Sequence, residues 1–149
     1  MPTRGTIDSA YFAVVKRRMI ETTQLKYLRI ALVVVGIIFI FGIYSLMIAW
    51  PSGWTWHTGH SDYPLMIIGI YGTLGVFLIL AARDPLAHRS LIWFTVWSSV
   101  VHGGIMAVQA FAPNSHGHLL GDVPALFIVA IALALLMPRR SQAGNHADA

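Results

Sequence analysis

Leu91 to Ala112 reads LIWFTVWSSVVHGGIMAVQAFA, an apolar stretch with a single ionisable residue, His102, at its centre. It has the roughly 20 residues that a bilayer-crossing helix needs. At 100° per residue, Thr95, Ser98, Ser99, His102 and Gln109 fall within about 60° of one line, with Trp93 and Trp97 on the opposite side. A polar group left unpaired in hydrocarbon is costly, so this stripe requires neighbouring helices to cover it.

Three other apolar runs supply those neighbours. The spans are expected at about 27–50, 65–82, 91–112 and 120–137, together forming a transmembrane domain over 27–138. Charged residues make up only 11% of the 149, against roughly 25% in an ordinary soluble domain. The absence of Cys excludes disulfides, thiolate catalysis, Cys-ligated zinc and iron-sulfur clusters.

The positive charges set the expected orientation. Arg4, Lys16, Arg17, Arg18, Lys26 and Arg29 precede or open the first span, Arg83 and Arg89 lie between the second and third, and Arg139 and Arg140 follow the fourth. The loops Pro51 to Pro64 and Pro113 to Gly121 have none. The positive-inside rule therefore predicts both termini in the cytoplasm. It also accounts for the basic charge, so no nucleic-acid partner is expected.

Residues 1–26 form a basic cytoplasmic arm, in which Ile7, Tyr11, Val14 and Val15 follow candidate caps at Thr6 and Ser9 at helical spacing. Arg18 interrupts that face. Two readings stay open: a short interfacial helix held by Lys16, Arg17 and Arg18 near anionic inner-leaflet lipid, or a solvated tail. The first span is too long for a signal peptide and is read as a retained helix between Tyr27 and Trp50.

In the second span, Gly69, Gly72 and Gly75 step round the helix by 60° each and predict tight helix packing. Arg83, Asp84 and Arg89 in the turn RDPLAHRS are read as a topology signal and a helix cap. The fourth span, Val123 to Met137, reaches only about 22 Å, so Leu119 and Leu120 must extend it. Asp122 then sits at the outer edge and is expected to cap the helix, with Pro124 in its first turn. The tail 139–149 is expected to be disordered and cytoplasmic.

Two groups of residues carry candidate chemistry. His57 and His60 form an HxxH, and His116 and His118 an HxH; with Asp62 and Asp122 they offer imidazole and carboxylate ligands for zinc, copper or nickel on the outer face. The same histidines without metal would give a pH-responsive surface, charging below about pH 6.5. His102, an intramembrane ionisable group, suggests a proton relay, a ligand contact or a haem ligand. No other span contains the His that a second axial position calls for. The structural alternative is that His102 bonds Ser98 one turn back, or a backbone carbonyl across the bundle. Ser98 and His102 at i and i+4 lack an orienting carboxylate, so hydrolysis is not expected.

The segments WPSGWTWHTGHS from Trp50, GIYGTLGVFLILAARDP from Gly69, HRSLIWFTVWSSVVHGGIMAVQ from His88 and GHLLGDVPAL from Gly117 resemble a family of small bacterial inner-membrane proteins known only as a domain of unknown function. The resemblance covers most of Trp50 to Pro138. It implies a four-helix integral membrane protein and brings no activity, cofactor or catalytic residue with it.

The expected fold is thus all-α: an integral membrane antiparallel four-helix bundle, N-in and C-in, with a short basic interfacial segment. The expected function is a non-enzymatic accessory or small-ligand-binding bundle in the bacterial inner membrane, with the stripe around His102 turned inward. The alternatives are an outer-face metal-binding or transport-associated protein using the histidine cluster, and a haem or other redox membrane protein. No cofactor is predicted beyond the divalent metal that cluster suggests. The expected partner is the lipid bilayer, with three arrangements left open: the bundle alone, a second copy of the chain, or a larger membrane assembly.

Overall fold

Without water to satisfy backbone N–H and C=O groups, a spanning segment must pair them internally, and the helix does so within one stretch of chain. The computed structural model describes residues 4–55, 63–111 and 116–138, and its regular elements among these are all helical. α1 is Arg4–Ile37 and passes through a π-helical segment, Ile38–Gly42, into α2, Ile43–Ala49. A single turn, α3 (Pro51–Trp54), follows. Then come α4 (Tyr63–Ala81), α5 (Arg89–Gln109), a 3₁₀ turn His116–Leu119 and α6 (Asp122–Leu136).

Three of these stretches, Arg18–Ala49, Arg89–Gln109 and His116–Leu136, are long and apolar enough to cross a membrane. The fourth apolar helix, Leu65–Ala81, is shorter. The last stretch reaches its length through the 3₁₀ turn, which brings in Leu119 and Leu120 as the shortfall of the fourth span requires. At the start of the chain the structure departs from the expected division. α1 crosses the boundary at 26 and 27 without a break, so the basic arm and the first span are one helix. No Pro or Gly lies between Gly5 and Gly36 to stop it. The Thr22 and Thr23 hydroxyls bond back to the carbonyls of Arg18 and Met19, both at 2.9 Å.

α4 packs on α1 and the π segment, α1 also meets α6, and α6 packs on α5, whereas α4 and α5 touch only sparsely. The core between them holds Leu28, Leu32, Phe39, Leu78, Ile92 and Leu133. The closest approach is at Gly36 and Gly75. A Cβ on Gly36 would stand 2.7 Å from the Gly75 carbonyl oxygen, and one on Gly75 would stand 2.6 Å from that of Gly36. Gly75 is thus a point of close approach between α4 and the first helix. At Gly69 and Gly72 a Cβ meets nothing within 4 Å.

At one end, the Arg89 guanidinium donates to the Pro138 carbonyl at 3.0 Å and ties the start of α5 to the end of α6. Asp84 accepts from the Ala87 N–H at 3.3 Å inside the turn before α5, while the helix itself starts at His88 without a side-chain cap. At the other end, α3 packs against the 3₁₀ turn. Apolar side chains also cover the outside, among them Leu120, Val108, Phe41 and Leu65.

Candidate functional site

The polar stripe of α5 divides along its length. Thr95 and Ser99 are buried, and Thr95 Oγ1 donates to the Leu91 carbonyl at 2.9 Å. Ser98 Oγ donates to the Thr95 carbonyl at 3.2 Å. Ser98 is thus not the partner of His102. A helical side chain leans toward the N-terminus, which brings a serine hydroxyl onto a carbonyl three or four residues back. His102 and Gln109, further along the same face, line a cavity, and the three hydroxyl residues do not.

That cavity has a volume of about 390 Å³ and is walled by all four apolar helices and α3. Ile38, Phe39 and Ile43 come from the π segment and its exit. π-Helical turns inside longer helices are frequent at functional sites, because the wider turn re-aims the side chains around it. Besides His102 and Gln109, the polar side chains in the wall are Tyr71 from α4, Trp54 from α3 and Asp122 from α6. Among the described residues neither Lys nor Arg takes part in it.

Tyr71 ties the two sparsely packed helices together. Its Oη is 3.4 Å from His102 Nδ1, a long hydrogen bond whose direction depends on the imidazole tautomer. The Tyr71 and His102 ring centroids are 5.9 Å apart, with the planes at 71°. On its other side Tyr71 meets Phe39 edge to face, with centroids 4.9 Å apart. Such aromatic pairs stabilise by about 0.5–1.5 kcal/mol beyond the area they bury. In the same wall the Trp54 indole N–H is buried with no acceptor among the described residues.

Asp122 does not cap α6 with its side chain. The helix begins after Gly121 with no side-chain cap bond, and the Asp122 carboxylate instead meets His118 Nδ1 at 2.9 Å. The 3₁₀ turn carries His118 to within one turn of α6 and buries it there, which puts its ring within hydrogen-bond reach of the carboxylate. His116, the other half of the HxH, is exposed. His57, His60 and Asp62 lie outside the described residues. Among the described residues no group of three or more His, Cys, Asp or Glu side chains stands ready to hold a metal.

The sequence family model that matches this chain runs over residues 22–147. The chain belongs to the family of unknown function DUF6632. Neither the curated proteins nor the solved structures include a match to it. The family match takes in the whole cavity wall and the His118–Asp122 pair, and reaches back through the first span beyond the resemblance seen at Trp50 to Pro138. Tyr71 and Trp54 are the polar wall residues that sequence reasoning passed over as site residues. The one signal available for Tyr71 was a hydroxyl deep within a span whose only other hydroxyl is that of Thr73.

Proposed function

We propose that this DUF6632 protein is a multi-pass protein of the bacterial inner membrane, an antiparallel four-helix bundle that holds a small lipophilic molecule beside His102. The observation that carries this reading is a cavity of about 390 Å³, apolar over most of its wall, with the Tyr71–His102 pair set into it. Small-molecule sites are of this kind: roughly 300–1,000 Å³, mainly hydrophobic, with a few placed polar groups.

The antiparallel arrangement is supported by contacts that run in opposite directions along α1 and α4: Gly36 meets Ile79, and Phe39 meets Tyr71. The Arg89–Pro138 bond supports the same for α5 and α6. Both termini are assigned to the cytoplasm because the Lys and Arg residues gather on that side. The protein acts by binding and not by catalysis, since Ser98 is turned to a backbone carbonyl, away from His102. Anionic lipid near Lys16 and Arg18, and a second copy or a larger assembly around the bundle, complete the proposed surroundings.

The test is extraction of the protein, purified in mild detergent, with organic solvent and mass spectrometry of the extract, beside the cavity-filling variant Ala125→Phe. A molecule near one per chain in the native protein and lost from an equally stable variant supports the reading. No such molecule, or equal amounts in both, counts against it.

A further inference from the structure

The cavity wall holds donors that have no acceptor among the described residues. A neutral imidazole carries one N–H and a phenol one O–H, and the Tyr71–His102 bond uses only one of the two protons. Whichever tautomer is present, one proton of the pair is left without an acceptor among the described residues. The Trp54 indole N–H in the same wall is buried and likewise has none. Buried donors are almost always paired, so a wall with spare donors implies a partner that brings the acceptor.

The charge of that partner follows from the rest of the wall. Among the described residues Asp122 is the only carboxylate in the wall, one of its oxygens, Oδ2, lies 2.9 Å from His118, and the wall has no Lys or Arg. A cation would leave these donors without an acceptor, and an anion would enter an apolar site with no full positive charge to meet it. The route in is lateral. Ile67 of α4 and Ile105 of α5 both line the cavity, yet are 43% and 55% exposed, and the helices that carry them scarcely touch.

Resting on the ligand-binding reading above, the geometry points to an uncharged lipophilic molecule bearing a carbonyl oxygen, of the quinone or ketone type, entering from the lipid between α4 and α5. Its oxygen accepts from the Tyr71–His102 pair. A single ring with its first substituents fits about 390 Å³, and a longer tail leaves through the gap.

The experiment is calorimetric titration of the full chain in lipid nanodiscs, corrected for empty nanodiscs, with three probes sharing a ten-carbon tail: decylbenzoquinone, decylbenzene and decyltrimethylammonium. Decylbenzoquinone is expected to saturate near one per chain and bind about fivefold more tightly than decylbenzene, the gain from one net hydrogen bond. Tyr71→Phe and His102→Phe each leave one donor and keep quinone affinity within about twofold, whereas the double variant falls to the decylbenzene level. Equal binding of all three probes, or preference for the cation, overturns the carbonyl assignment and leaves the cavity reading standing. Saturation by none overturns both. The comparison of the first two probes needs no variant, so it decides even where the double variant fails to fold.

Discussion

His118 Nδ1 and Asp122 Oδ2 lie 2.9 Å apart across one turn of chain, with only 3% and 7% of the two side chains exposed. A buried pair of this kind adds little over well-packed apolar residues, but removing one partner strands the other where water cannot reach it. His118→Leu and Asp122→Leu should each lower stability by about 3 kcal/mol, and the double variant should recover most of that loss. Denaturant unfolding in detergent checks it. Singles that unfold like the native protein would show that water reaches the pair.

The glycines of α4 should separate by position. Gly75→Ala and Gly36→Ala each place a Cβ against backbone at 2.6 or 2.7 Å, so α1 and α4 must move apart, at a cost of about 1–3 kcal/mol. Gly69→Ala and Gly72→Ala meet nothing and gain helix propensity, and should melt at or slightly above the native temperature. The four melting curves, measured side by side in one detergent, test the close crossing. Equal losses at all four would mean that Gly69 and Gly72 are also covered.

Helix content and the apolar runs were legible because they depend on quantities that the sequence carries directly: length of apolar run, charge, and the absence of Pro and Gly. His102 stood out for the same reason, as the one ionisable group in its span. What the sequence could not supply were relations between helices. Periodicity places Gly69, Gly72 and Gly75 on faces but does not say which face a neighbour covers, and only Gly75 is covered. The i and i+4 spacing of Ser98 and His102 suggested a local bond, but the serine hydroxyl has a carbonyl of its own helix closer to hand. Tyr71 meets His102 across 31 residues of chain. The π segment contains no Pro to announce it, and Asp122 exchanged a capping role for His118 because the 3₁₀ turn brought that ring within reach.

Topology can be read chemically at two exposed positions. His116 precedes α6 and Ala87 lies in the turn before α5, at opposite ends of the bundle. If the Lys and Arg residues hold their side of the bundle in the cytoplasm, His116→Cys should react with a membrane-impermeant maleimide on intact cells and Ala87→Cys only after lysis. The background is clean, since the chain has no Cys. The reverse pattern would invert the assignment.

The Tyr71–His102 contact should appear in stability as a coupling, because each side chain is the other's partner. His102→Leu strands the Tyr71 hydroxyl and leaves the Ser98–Thr95 bond untouched, so its effect comes from the cavity end of the stripe alone. Tyr71→Phe strands His102 Nδ1 in turn. Each single should cost about 1–3 kcal/mol, the penalty of a buried polar group with its partner removed. Tyr71→Phe with His102→Leu removes both groups together and should cost less than the sum of the singles, with a coupling of at least about 0.5 kcal/mol. A double-mutant cycle in detergent measures that term directly. Strict additivity would mean that the 3.4 Å contact is no more than proximity and does not hold α4 to α5.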